Sequence, residues 1–284
     1  MSNDWAEITV QHLTEKLTLQ KNVSLILGGT DTGKTSLVIA LARRLVKDFP
    51  IGIVDADIGQ SHIGRRTTVG WAVIDSPDFD LEELQADGIS FVGHVTPIGH
   101  LLQLTAAITQ AVRHASKFAD TVLIDTPGFV RGGAAVALWW TVQHILQPHI
   151  IIAVQKENEL SQILAVCGSN SIQLEVLSAP RHIPTKSPDA RFIYRETQFA
   201  KYFHEASLYE IELSSVAIQT NRSLSREVML NRLVALRDAD GCDMVLGIVK
   251  DWQFEKGIAI LKAPKLDVSK IRCIVVGDIT IQTA

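Results

Sequence analysis

The sequence predicts an α/β protein, a parallel sheet covered by helices on both faces, followed by a small C-terminal β domain. Three observations predict it. Short apolar runs alternate with longer amphipathic stretches from Val23 to Leu177, the pattern of strands buried on both faces and of the helices that cover them. Three of those runs end in glycine-rich or acidic clusters, at Gly28, Asp55 and Asp125, and ligands of such sheets sit beyond the carboxyl ends of the strands. From Ser207 the pattern changes to alternating strands separated by turns such as Asp238-Ala239-Asp240-Gly241.

In chain order, Asp4 is the expected N-cap of a short amphipathic helix carrying Trp5, Ile8 and Leu13. Val23–Leu27 is a strand that breaks into glycines, and a helix runs from Ser36 to about Lys47, ended by Phe49-Pro50. Ile51–Val54, Thr67–Ile74 and Ile89–Val92 read as strands, with a polar excursion at Ser76–Asp87. Pro97 opens a long helix to about Phe118. Strand Thr121–Ile124, helix Gly133–Leu146, strand Ile150–Val154, helix Leu160–Val166 and strand Ile172–Leu177 follow. The prolines of Ala179–Pro188 mark a hinge, and a helix follows over about Asp189–Glu205. The tail reads as strands at Tyr209–Ile218, Met244–Lys250, Gly257–Leu261 and Ile271–Thr280. The expected organisation is an amphipathic segment over 1–20, an α/β domain over 21–206 with a lid at about 180–205, and a β domain over 207–284.

Composition narrows the function classes. At 46% hydrophobic and 20% charged residues the 284-residue chain has a real core and is not a disordered one. No apolar run reaches membrane-spanning length, and Met1–Gln20 lacks a signal-peptide core, so a cytoplasmic protein without a membrane partner is expected. The three cysteines are scattered, without metal spacing. A net charge of −4 excludes a broadly basic nucleic-acid binder, so any such contact is confined to a groove.

The chemistry starts at Gly28-Gly29-Thr30-Asp31-Thr32-Gly33-Lys34-Thr35-Ser36, which fits the G-x-x-x-x-G-K-[ST] phosphate-binding loop of a P-loop NTPase. The glycines let successive backbone N–H groups point inward as a nest for phosphate oxygens, and the following helix adds its positive end. Lys34 is then placed to reach the β- and γ-phosphates of ATP, and Thr35 to ligate Mg²⁺. Asp55-Ala56-Asp57-Ile58-Gly59-Gln60 puts two carboxylates at a strand end beside that loop, suited to accepting a proton from an attacking hydroxyl. If the chain stays extended, alternation sends Asp55 and Asp57 to one side. Asp57 is the expected base, with Asp55 and Asp125 near the metal. Arg191 and Arg195 lie four apart on the expected lid helix, on one face, suited to neutralising transition-state charge. Phe129, at a strand end, is the expected base-stacking residue. The nine histidines form no ligand spacing, and Trp139-Trp140 reads as core.

Together these motifs resemble the polynucleotide 5′-hydroxyl kinase family, whose eukaryotic members include a subunit of the pre-mRNA cleavage machinery and a ribosomal-RNA processing kinase. The resemblance covers about residues 22–205. Gly28–Ser36 is similar to the family's G-x-T-D-x-G-K-[ST]-[ST] loop, and Asp55–Gln60 to its D-x-D-x-G-Q stretch. Thr126-Pro127-Gly128-Phe129 is similar to its substrate clasp T-x-G-[WY], with Phe129 in place of an indole or phenol. Arg191-x-x-x-Arg195 resembles its lid motif, and Gly93–His100 resembles its punctuated stretch before the long helix. The resemblance implies transfer of the γ-phosphate of ATP, with Mg²⁺, to a 5′-hydroxyl end of RNA or DNA. Gln60 and the clasp, Thr126, Pro127, Gly128 and Phe129, would hold the acceptor end. About twenty residues precede the first strand, which implies a minimal member without the relatives' N-terminal domain.

The rivals share the loop. A GTPase-type switch wants N-K-x-D after Ile150–Val154, where the chain reads Gln155-Lys156-Glu157-Asn158. An assembly scaffold without catalysis would not need Asp57 or the arginine pair. A small-molecule kinase differs only in its acceptor.

Overall fold

The computed structural model describes residues 5–18, 22–81, 83–167, 172–180 and 199–281. One mixed sheet runs through it. Its first part has the order β7-β6-β1-β5-β2-β3-β4, formed by β1 (Asn22–Gly28), β2 (Ile51–Asp55), β3 (Thr68–Ile74), β4 (Gly88–Phe91), β5 (Thr121–Asp125), β6 (Ile150–Gln155) and β7 (Gln173–Ser178). The strands from β7 to β2 are parallel, whereas β3 pairs antiparallel with both β2 and β4. The expected parallel sheet is thus present from β7 to β2, and the antiparallel β3 and β4 extend it, a direction that apolar content does not reveal. The hairpin from β2 to β3 returns at the carboxyl edge of the sheet, so residues 56–67 join the same rim as the phosphate loop.

Helices cover both faces. On one face α1 (Glu7–Leu17) and α2 (Lys34–Leu45) send Leu13, Leu17, Leu37 and Leu41 onto Ile26, Ile53, Leu123 and Ile152. On the other, α3 (Leu101–Ala115) and α4 (Gly133–Leu146) send Ile108, Leu138 and Trp139 onto Leu25, Leu27, Val54 and Ile124. Adjacent strand residues thus point to opposite cores, which is why these strands read as unbroken apolar runs. A short α5 (Ser161–Leu164) packs on α4. None of the described helices is long and apolar enough to cross a membrane.

Several boundaries differ from expectation. Helix α1 is capped at Ala6, without a side-chain bond, and Asp4 lies outside the described residues. Helix α3 begins at Leu101 because Gly99, at φ +81°, turns the chain after Pro97. Most of the expected helix 189–205 lies outside the described residues; 199–202 is helical.

The C-terminal strands are β8 (Ser207–Glu212), β9 (Ala217–Gln219), β10 (Arg232–Arg237), β11 (Asp243–Gln253), β12 (Ile258–Ala263) and β13 (Cys273–Thr280), with a short α6 (Arg226–Met229) before β10. They continue the sheet in the order β4-β11-β10-β13-β9, with β12 and β8 branching from β11. The expected strand 209–218 is two strands, split by a 3-10 turn at Leu213–Ser215, and β10 was not expected. On β10, Leu233 and Ala235 face a core with Phe91, Phe199 and Phe203, while Val234 and Leu236 face one with Trp252 and Ile274.

Asp243 joins the two parts of the sheet. It pairs with Ile89 of β4, and its buried carboxylate accepts the Phe91 N–H at 2.6 Å and the Arg237 guanidinium at 2.8 and 3.2 Å. Removing one member of such a set strands the others without partners. Asp243→Ala is expected to cost about 3–5 kcal/mol of stability, read by denaturant unfolding; a change below about 1 kcal/mol would show that the apolar cores alone hold the joint.

Candidate active site

The phosphate loop leaves the end of β1, where Gly28 lies beside Val154 of β6. A β-carbon on Gly28 would fall 2.5 Å from the Val154 carbonyl and 2.7 Å from the Thr32 hydroxyl, so glycine is required by space. Asp31 and Gly33 take left-handed conformations, at φ 54° and 86°, which curl the chain before α2 starts at Lys34. The Thr32 hydroxyl donates to the Gly29 carbonyl at 2.9 Å, and Lys34 Nζ folds across the loop to the same oxygen at 2.7 Å. Just before α1, the Trp5 indole donates to the Gly33 carbonyl at 3.0 Å. The segment that leads into α1, whose Trp5 is buried in the same core as α1 and α2, therefore also pins the loop. Burial lowers the Lys34 pKa, opposed by the charges of Asp125, Asp57 and Asp31.

Two of those carboxylates, Asp125 and Asp57, are delivered by the neighbouring β5 and the turn after β2. Asp125, the last residue of β5, lies between Ile26 of β1 and Asp55 of β2. Its Oδ2 accepts the Thr35 hydroxyl at 2.5 Å, while its Oδ1 is buried without a hydrogen-bond partner among the described residues. An orphaned carboxylate oxygen beside a hydroxyl is a hard-oxygen pair that fits Mg²⁺, and Thr35 and Asp125 would hold it. Burial pushes Asp125 up to about 6, and Asp55 and Asp57 add to this, while Lys34 and the Thr35 hydroxyl oppose it. Among the described residues no group of three or more His, Cys, Asp or Glu side chains forms a closed metal cage.

Asp55 closes β2. The strand stops at Asp55, so alternation does not govern Asp57. The Asp55 Oδ1 accepts the Asp57 N–H at 3.0 Å, and its Oδ2 accepts the His62 N–H at 2.5 Å, the Ile63 N–H at 2.9 Å and the Ser61 hydroxyl at 3.1 Å. Both oxygens accept bonds that shape the loop 56–67, and the residue stands beside Asp125 in the sheet register. Burial pushes Asp55 up to about 7, with the Asp57 charge adding and the backbone N–H groups opposing. Asp57 itself is half-buried. Its Oδ1 accepts the N–H groups of Gly59 and Gln60, each at 3.0 Å, which fixes the carboxylate on the rim. Gln60 is also partly exposed there.

The turn after β5 is also more structural than expected. Thr126 is buried and donates its hydroxyl to the Ile26 carbonyl at 2.6 Å, and Pro127 is buried beside it. Gly128 rests on the phosphate loop, for a β-carbon there would lie 2.7 Å from the Thr30 N–H nitrogen. Phe129 is half-buried against the α3–α4 core, and its carbonyl accepts the Trp139 indole at 2.8 Å. Arg191 and Arg195 lie outside the described residues.

Two features were missed by sequence reading. Trp5 was read only as part of an apolar stripe. The doublet Arg65-Arg66 stands on the rim, with Arg65 over the Tyr202 ring at 5.0 Å and Arg66 over the Phe199 ring at 6.0 Å. The only available signal was a basic pair closing the loop that begins at Asp57.

Two outcomes are expected. A carboxyl whose folded pKa is raised binds more protons folded than unfolded between the two values, so its contribution to stability falls as pH rises from about 4 to about 7. Asp55→Asn should remove that fall: relative to the variant, wild type should lose up to about 4 kcal/mol between pH 3 and 8, from about three units at about 1.4 kcal/mol each. Parallel stability–pH curves would place the ionisation of Asp55 at its ordinary value. Trp5→Phe removes one hydrogen bond to the loop and should weaken nucleoside triphosphate binding about three- to tenfold by calorimetry, from about 1 kcal/mol; unchanged affinity would make the indole bond incidental to the loop.

Comparison with known proteins gives the chain's family and shared fold. The family model described as mRNA cleavage and polyadenylation factor CLP1 P-loop matches residues 28–205. A polyribonucleotide 5′-hydroxyl-kinase of Pyrococcus abyssi is 32% identical over 195 residues, 68% of this chain and 54% of the relative. One from Thermococcus kodakarensis is 31% identical over 244 residues, 84% of this chain and 66% of the relative. The chain thus spans about half the length of the first of these relatives. A solved structure of the wild-type Clp1p–Pcf11p complex superposes with a TM-score of 0.70 at 10% identity, covering 96% of this chain and 79% of that one, which shows a shared fold. With the match extending from the phosphate loop across more than half of its length, the chain belongs to the CLP1 P-loop family.

Proposed function

We propose that this protein transfers the γ-phosphate of ATP to the 5′-hydroxyl end of a polynucleotide, RNA or DNA. The observation that carries the reading is the placement of Asp57. Its carboxylate stands on the rim beside the phosphate loop, near enough to act electrostatically on Lys34, and is held by two backbone N–H groups. The names of the archaeal relatives support RNA as an acceptor.

In this reading the loop amides and Lys34 bind the β- and γ-phosphates, and Lys34 exchanges its bond to the Gly29 carbonyl for phosphate oxygens. Mg²⁺, when bound, supplies charge neutralisation at the phosphates, and Thr35 and Asp125 hold it. Asp57 accepts the proton of the attacking hydroxyl, and its fixed orientation puts that acceptor where the strand end arrives. Gly128 and Phe129 border the acceptor end from the β5 side, while Thr126 and Pro127 hold that turn in place. Arg191 and Arg195 keep the charge-neutralising role that the resemblance implies. Residues 21–206 form the transferring unit and 207–284 the accompanying β unit. Use of ATP and the free cysteines Cys167, Cys242 and Cys273 fit a cytoplasmic setting.

The test uses γ-labelled ATP and Mg²⁺ with short 5′-hydroxyl RNA and DNA oligonucleotides. Wild type should label the 5′ end, and Asp57→Asn should lower kcat about 10²- to 10⁴-fold with little change in the KM for ATP. ATP hydrolysis without labelled oligonucleotide would move the reading to a nucleotide-dependent switch, and no ATP turnover at all to an assembly scaffold.

A further inference from the structure

The order of strands divides the rim into two sides. The phosphate loop follows β1, next to β6, and Asp125 follows β5. Asp57 follows β2, and beyond it lie β3 and β4. If the triphosphate fills the loop, the β3–β4 side of Asp57 is the side left to the acceptor strand. On that side the structure places Arg65 and Arg66, at the end of the loop that begins with Asp57.

These arginines are held in a particular way. The Arg65 backbone is locked by Thr68, whose hydroxyl donates to the Arg65 carbonyl at 2.6 Å and accepts its N–H at 3.2 Å. The guanidinium stacks over Tyr202, itself fixed by the Leu246 N–H donating to its hydroxyl at 2.9 Å. Phe199, under Arg66, is buried in the core with Phe91 and Leu246. Stacking occupies the face of a guanidinium and leaves its donors in the plane of the group, the arrangement suited to bidentate phosphate recognition. In Arg65 the Nη1 donor reaches the Gly64 carbonyl at 3.0 Å and Nε is buried, which leaves the Nη2 edge to a ligand. The Arg65 guanidinium is therefore already oriented before any ligand arrives, and little side-chain entropy is lost on binding.

We propose that Arg65, with Arg66 beside it, binds the phosphodiester that follows the 5′-terminal nucleotide of the acceptor strand. This rests on the reading of the protein as a polynucleotide 5′-hydroxyl kinase. It makes the phosphate 3′ to the reacting nucleotide, rather than its base, the feature by which a polynucleotide end is told from a free nucleoside.

The experiment compares three acceptors, a nucleoside, a nucleoside 3′-monophosphate and a 5′-hydroxyl oligonucleotide, with wild type, Arg65→Ala and Arg65→Lys. Wild-type transfer to the oligonucleotide establishes the underlying reading independently of the arginine. Arg65→Ala should then raise the KM for the 3′-monophosphate and the oligonucleotide about ten- to a hundredfold, the scale of a charge-assisted hydrogen bond. The KM for the nucleoside, the KM for ATP and kcat should change less than about twofold. Arg65→Lys keeps a point charge without the fork and should fall between the two. The slope of log affinity against log salt for the oligonucleotide should become shallower by about 0.7 in Arg65→Ala. An unchanged KM for the phosphorylated acceptors would overturn the proposal. So would an equal loss for all three acceptors, which would make Arg65 a brace for the loop. Failure of wild type to phosphorylate any acceptor would remove the kinase reading and the proposal together.

Discussion

The structure depends on one electrostatic compensation, a lysine and several carboxylates buried together at one edge of a sheet. Lys34 is nearly buried, and its ammonium tolerates that position because Asp125, Asp57 and Asp31 surround it. Asp125 in turn depends on Lys34 and on the Thr35 hydroxyl. Asp55, fully enclosed one strand away, is kept by backbone N–H groups instead of by a cation. The different partners give different tasks. The carboxylate held by N–H groups shapes a loop, and the one left with an orphaned oxygen is available to a metal ion. The glycines and strand order around this point serve mainly to bring these groups within reach of one another.

Much of this was legible in the sequence wherever a local rule fixes the residue type. Gly28, Gly33 and Lys34 follow from the phosphate nest, and strands buried on both faces announce themselves as apolar runs. Features that depend on distant neighbours were not legible. Asp55 and Asp57 have the same spacing in either role, and only the turn of the chain after Asp55 shows that one folds the loop while the other stands on the rim. Thr126 sits in a motif that suggested substrate contact, but its hydroxyl is spent on a carbonyl of β1. Strand β10 was missed because Leu233-Val234-Ala235-Leu236 is apolar on both faces and too short to show a period. Trp5 and Arg65 gain their importance from partners at Gly33 and Tyr202, far along the chain.

The sheet also explains how a modest core supports two sets of strands. Cores on opposite faces of the same β-strands share one backbone ladder, so the C-terminal strands need no separate scaffold to meet the edge of β4. The Asp243 carboxylate is the polar complement of that meeting, satisfying a backbone donor at the edge where regular pairing runs out. The aromatic residues at 199–203 then cover the C-terminal part from the rim side, placing Tyr202 and Phe199 under the arginines of the loop 56–67.

The contact of Gly128 with Thr30 has a thermodynamic consequence. The turn after β5 and the phosphate loop touch backbone to side chain, with no space for even a methyl group between them. A ligand that shifts Thr30 on entering the loop also shifts Gly128, and one that presses on the turn is felt by the loop. Were both places occupied, their affinities would be linked through this contact, and linkage is reciprocal: whatever factor the first ligand applied to the affinity of the second, the second would return to the first.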